Sequence, residues 1–200
     1  HAGRLQIPPL MVEWIIRVID RKIPRDHLLA IVAVRDELRP LRHRIAHHRH
    51  QIMRDEGRDE VDQAVAHAAR AQAEWWAASA LDRANLLHEA ASKMIANSAR
   101  TGECLTREMG KPFRESNWEG GAAASSFRHY AETARSEQGR VAGPAIAGQL
   151  HMVLKEPLGT VVSIVPYNFP MLLAGWQSAA ALAAGNAIII KPSELTPVTM

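Results

Sequence analysis

The chain has 200 residues and 47% hydrophobic content, enough for one domain with a substantial core, and its single cysteine, Cys104, excludes an intrachain disulfide framework. No apolar run is long enough to cross a membrane and no signal-peptide pattern opens the chain, so a cytoplasmic location with no membrane partner is expected. The net charge of +3 is unevenly placed: residues 1–50 hold ten Lys and Arg against five Asp and Glu, which makes the basic character local to the start.

Residues 1–55 form an atypical basic segment. Met11 to Ile19 and His27 to Leu38 have the pattern of short amphipathic helices, and four of the ten histidines fall between Arg42 and His50. His43 and His47 stand at i, i+4, yet the flanking arginines oppose a cation and no carboxylate completes a ligand set, so no metal is expected. The same stretch lacks interleaved aromatics and a groove-reading motif, which argues against a nucleic-acid partner. Either the segment is a genuine extension or it is an out-of-frame reading of GC-rich DNA.

From Asp59 onward the helical signals are regular. Asp59-Glu60-Val61-Asp62 predicts an N-cap, followed by a stripe of Val61, Ala64, Val65, Ala68, Ala69 and Gln72 leading to Trp75-Trp76. Ser79-Ala80-Leu81-Asp82 repeats that signature and opens a second helix with Leu86, Leu87, Ala90, Ala91, Met94 and Ile95 inward. A third helix carries Cys104, Leu105 and Met109 and stops at Gly110-Lys111-Pro112, where glycine accommodates a left-handed cap. A fourth runs from Arg114 to Arg135 with Trp118, Phe127 and Tyr130 as anchors. Gly139 to Pro157 predicts a β-hairpin, with His151-Met152-Val153-Leu154 as its best strand.

Thr160 to Val165 and Ala187 to Ile190 are runs rich in β-branched residues, separated by Pro-Tyr-Asn-Phe-Pro and an Ala/Leu-rich helix that starts near Pro170 and ends at Gly185-Asn186. This is the pattern of a βαβ unit. Neither run alternates apolar with polar, so both strands are expected to be buried on both faces of a parallel sheet. Two polar clusters then fall just past the carboxyl ends of the strands, the edge where open α/β sheets bind nucleotides. The expected fold class is α/β: the start of a parallel, Rossmann-like cofactor-binding sheet, preceded by a helical segment and a hairpin, and truncated.

EPLG, PYNFP and AAGNAIIIKPSELTP, in this order and spacing, resemble the start of the cofactor domain of the aldehyde dehydrogenase superfamily, as does EMGKP at 108–112, and the likeness covers about 140 of the 200 residues. It implies that residues 56–200 are the N-terminal part of that domain, with 139–157 as an oligomerisation hairpin in a homo-oligomer. It further implies an NAD(P)-dependent oxidation of a small-molecule aldehyde to a carboxylic acid, by an enzyme more than twice this length. The family's catalytic cysteine, glutamate base and glycine-rich turn would lie beyond Met200, so the chain as written is expected to be a fragment that catalyses nothing alone. A non-catalytic nucleotide-binding module and a fragment of a CoA-acylating semialdehyde dehydrogenase are the alternatives.

Asn168 is an untitratable amide held between Pro166 and Pro170. It suits either a simple turn or an oxyanion donor, and the resemblance implies the second. Lys191, Ser193 and Glu194 follow the second strand. A carboxylate and an ammonium there suit vicinal ribose hydroxyls, and the resemblance places Lys191 and Glu194 on the adenine ribose. A 2′-phosphate would meet the charge of Glu194, so NAD is expected, with NADP possible. Ile164, Val165, Pro166 and Tyr167 are expected to wall the cofactor cleft, and Trp176 to face the substrate. Cys104, placed mid-helix, reads as an inert thiol rather than a nucleophile.

Overall fold

The computed structural model describes residues 58–136 and 139–200. The expectations for residues 1–55, including both short helices and the His43–His47 pair, lie outside the described residues.

Four helices come first: α1 (Arg58–Ala77), α2 (Ala80–Ala96), α3 (Ser98–Met109) and α4 (Phe113–Ser136). The first begins before Asp59, so that residue is inside the helix and is not its cap. Its buried stripe is Ala64, Ala68, Ala71 and Trp75, while Val61 and Val65 are exposed. The small alanines face β-sheet and let the helix approach closely, which turns the larger valines outward. In α2, Ser79 is the N-cap as its motif predicts: its Oγ accepts from the Asp82 N–H at 3.1 Å. Leu86, Leu87, Ala90, Ala91 and Met94 are buried, and Ile95 is exposed.

Helix α4 buries Ser116, Glu119, Gly120, Ala123, Ala124, Phe127 and Ala131, an i, i+3, i+4 stripe. Trp118 falls outside that stripe and is exposed, against expectation, whereas Phe127 is fully buried and Tyr130 partly so. A hairpin follows, β1 (Gly139–Ala142) pairing antiparallel with β2 (His151–Leu154).

The βαβ unit is β3 (Thr160–Ile164), α5 (Pro170–Ala183) and β4 (Ala187–Lys191), with the strands parallel and in the register Thr160↔Ala187 to Ile164↔Lys191. Proline occupies the first turn of α5, where its missing N–H leaves no helical bond unmade. The main core joins α2, α4 and α5 to Ile188 and Ile190 on one face of β4; Ala64 and Ala68 of α1 cover Ala187 and Ile189 on the other. Strand β4 is therefore buried on both faces, as its apolar run implies. Strand β3 is not: Val162 is 59% and Ile164 73% exposed, because they share the α1 face of the sheet and α1 lies mainly over β4.

The α5–β4 turn depends on Gly185. Its φ of +86° is left-handed, and an added Cβ would sit 2.4 Å from Cε3 of Trp76. Gln72 and Trp75 donate to the carbonyls of Gly185 (3.1 Å) and Leu182 (2.8 Å), fastening α1 to this end of α5. Gly185→Ala is expected to cost about 1 to 3 kcal/mol through backbone strain and displacement of the indole. Urea unfolding checks this, and an unchanged midpoint would contradict it.

Candidate functional site

Both polar clusters lie at one edge. The strands are parallel and in register, so the loop after Ile164 and the turn after Lys191 leave the sheet side by side. The Val165 N–H donates to the Lys191 carbonyl at 3.0 Å and extends the ladder one step past the strand ends.

Along the first loop, Pro166, Tyr167 and Asn168 are exposed, as is Ile164 before them. Val165 differs: its side chain is buried in the main core, so only its backbone is placed at the edge. Trp176 is half-exposed on α5. In the second cluster, the Thr196 N–H donates to the Ser193 carbonyl at 3.1 Å, closing a turn, and the Leu195 N–H donates to Ser193 Oγ at 3.2 Å. Residues 194–199 continue as turns and a bend, not as a helix. Lys191 Nζ lies 4.0 Å from Glu194 Oε2, and both side chains are about half-exposed. Such a pair adds little to stability, which leaves both charges open to a ligand.

What holds the Asn168 loop escaped the reading of the sequence. Lys111, just past α3, is buried, and its Nζ donates both to the carboxylate of Glu119 on α4 and to the main-chain carbonyl of Asn168. The same ammonium sits 3.6 Å from the centroid of the Phe169 ring, a cation–π contact. Glu119 is fully buried, and its Oε2 accepts from the Leu172 N–H at 3.5 Å. Phe169, the N-cap residue of α5, makes no side-chain cap bond. A carboxylate from a neighbouring helix therefore serves the start of α5, where negative charge meets the positive end of the helix dipole.

The second loop is held from the same segment. The Glu108 carboxylate accepts from the Val198 N–H at 2.5 Å, the Thr199 N–H at 2.9 Å and the Thr199 hydroxyl. Between Glu108 and Lys111 the helix ends at Gly110, whose φ of +81° is left-handed and whose N–H donates to the Thr106 carbonyl at 2.9 Å.

In the sequence, GKP reads as a helix stop and as part of the EMGKP resemblance, neither of which gives Lys111 a partner. The available signal was Glu119 itself, a charged residue in phase with the buried Ser116, Ala123 and Phe127 of α4. Cys104 is half-buried within α3, distant in sequence from both loops.

Burial pushes the Glu119 carboxyl above its ordinary value of 4.5, and the Lys111 ammonium and the backbone N–H groups of Leu172 and Met171 oppose that rise. A folded-state value above the unfolded one favours the native state most at low pH, and this contribution is lost as pH rises through the folded value. Glu119→Gln has no such proton. Wild-type stability relative to this variant should therefore fall as pH rises from about 4.5 toward neutrality, measured by urea unfolding across that range. A difference that grows with pH would mean that Lys111 outweighs desolvation.

A family model, the aldehyde dehydrogenase family, matches residues 40–200. Succinate-semialdehyde dehydrogenase, mitochondrial, from Arabidopsis thaliana is 35% identical over 143 residues, which cover 72% of this chain and 27% of that protein. The crystal structure of PnpE from Pseudomonas sp. WBC-3 superposes with a TM-score of 0.68 at 39% identity, covering 70% of this chain and 29% of that one, and a structure of PnpE in complex with nicotinamide adenine dinucleotide gives the same values. An E. coli NADP-dependent enzyme superposes with a TM-score of 0.69 at 32% identity over 70% of this chain and 29% of its own. The chain spans less than a third of the length of these relatives.

Proposed function

The chain belongs to the aldehyde dehydrogenase family, and from that premise we propose that it supplies the ribose-binding and oxyanion-binding parts of an NAD(P)-dependent enzyme that oxidises an aldehyde to a carboxylic acid. The observation that carries this reading is the shared edge. Asn168 after β3, Lys191 at the end of β4 and Glu194 after it come to the same edge because the two strands are parallel and adjacent; Asn168 and Glu194 are exposed and Lys191 partly so.

The residues present fit a dinucleotide. Glu194 offers a carboxylate to two vicinal ribose hydroxyls and Lys191 an ammonium to a hydroxyl oxygen, while Ser193 closes the turn that presents them. When bound, the nicotinamide cofactor accepts the hydride released by the aldehyde carbon. NAD is the preferred form, since a 2′-phosphate would face the Glu194 carboxylate. PnpE is described in complex with NAD and the E. coli relative as NADP-dependent, so NADP remains the alternative. Ile164, Pro166, Tyr167 and the backbone of Val165 form the cleft wall.

Asn168 acts at the substrate. Addition of a thiolate to an aldehyde carbonyl puts negative charge on oxygen, and a fixed amide donor stabilises that charge without reorganising. The amide is uncharged at every working pH, so it donates without exchanging a proton. No thiol of the described residues is placed to be the nucleophile, since Cys104 lies within α3.

Residues 56–200 are read as part of the cofactor-binding domain. The β1–β2 hairpin, which exposes Val141, Met152, Val153 and Leu154, is read as a surface for subunit contact in a homo-oligomer. No described helix is long and apolar enough to cross a membrane, which is compatible with the proposed cytoplasmic location.

In the natural polypeptide that carries this chain, Asn168→Ala should lower kcat by roughly 10²- to 10³-fold with little change in NAD affinity. Glu194→Gln should instead weaken NAD binding by about tenfold and narrow the preference over NADP. Steady-state reduction of NAD and NADP over an aldehyde panel, with direct titration of both cofactors, reads these effects. Unchanged kcat in the first variant and unchanged affinity in the second would contradict the assignments. NAD binding without aldehyde oxidation would point to the non-catalytic module.

A further inference from the structure

We propose that Glu108 and Lys111, three residues apart across the α3 terminus, are positioning residues that fix the two edge loops from a single anchor. Lys111 sets the oxyanion loop through the Asn168 carbonyl, and Glu108 sets the ribose turn through the N–H groups of Val198 and Thr199. The proposal rests on the roles given above to Asn168 and Glu194.

The geometry is specific. Lys111 holds the main-chain oxygen of Asn168, the residue whose side chain would meet substrate, and packs its ammonium on the next residue's ring. Fixing the carbonyl fixes the peptide plane from which the Asn168 side chain departs, and the flanking prolines already restrict the backbone. Glu119 completes the clamp from the other side by holding Lys111 and the N-terminus of α5 together.

Glu108 plays the matching part for the second loop. Its carboxylate gathers three donors from Val198 and Thr199, four and five residues beyond Glu194. The left-handed Gly110 turns the chain between the two anchors. The anchor is itself pinned, because the Thr106 hydroxyl donates to Ser116 Oγ at 3.0 Å and so joins the last turn of α3 to the first of α4. Movement of the α3 terminus would displace both loops together.

A purely structural pair would loosen everything alike, whereas a clamp separates the two effects. Lys111→Met with Glu119→Gln removes both buried charges, so neither is left alone in the core. In the natural polypeptide this double variant should lower kcat by roughly 10- to 100-fold while NAD affinity changes less than about twofold. Added to Asn168→Ala, the same two changes should lower kcat less than about twofold further, because they act through that residue. Glu108→Gln should show the reverse: weaker NAD binding, with kcat at saturating NAD nearly unchanged.

Hydrogen exchange gives a readout that does not depend on activity. Amides of residues 167–169 should exchange faster in the Lys111/Glu119 variant, and those of 198–199 faster in Glu108→Gln, each sparing the other loop. Equal losses of kcat with and without Asn168, or uniform acceleration of exchange at both loops, would overturn the clamp. If Asn168→Ala itself leaves kcat intact, the functional reading fails, and the exchange pattern still decides whether the clamp exists.

Discussion

A lysine ammonium buried against a carboxylate is the constraint on which the edge of this sheet depends. Taking Lys111 and Glu119 out of water is costly, and a buried ion pair is weak support for stability in itself. What it provides here is placement. One ammonium links α4, the Asn168 carbonyl and the Phe169 ring, while the partner carboxylate receives the first turn of α5. The raised carboxyl of Glu119 fits that account, since burial outweighs the favourable neighbours. The α5 terminus, with proline in its first turn and no side-chain cap of its own, needs an acceptor from elsewhere, and Glu119 is the one supplied.

The parallel pairing of β3 and β4 does the rest of the positioning. A crossover helix returns the chain in the same direction, so residues just past both strands emerge at the same edge. The turn that makes this possible is closed by several independent contacts: Gly185 in a left-handed conformation, the Gln72 and Trp75 bonds from α1, and Asn186 accepting from the Gly159 N–H at 2.9 Å. The start of β3 and the start of β4 are thereby tied together opposite the candidate site.

Much of this was legible in the residues. Capping by Ser79, the glycine stop at Gly110, the hairpin, Pro170 at the start of α5 and the left-handed Gly185 each follow from local chemistry that the chain states outright. The misreadings have a common physical source, which is that periodicity gives a face without saying what covers it. Val61 and Val65 were placed inside, but the neighbour of α1 is a closely approached strand that selects alanine. Strand β3 was expected to be covered on both sides, yet α1 lies mainly over β4. Trp118, an expected anchor of α4, falls outside the stripe that packs. Lys111 and Glu108 were invisible as positioning residues because their partners lie 57 and 90 or more positions away in the chain.

The most direct test of the central claim, that one edge carries both the ribose and the oxyanion functions, is a crystal structure of the natural polypeptide with NAD and an unreactive aldehyde analogue. The account predicts a ribose within about 3.2 Å of Glu194 and Lys191, the Asn168 amide directed at the analogue's oxygen, and Lys111 still bound to the Asn168 carbonyl. A cofactor seated away from the carboxyl ends of β3 and β4, or an analogue oxygen bound without Asn168, would contradict it.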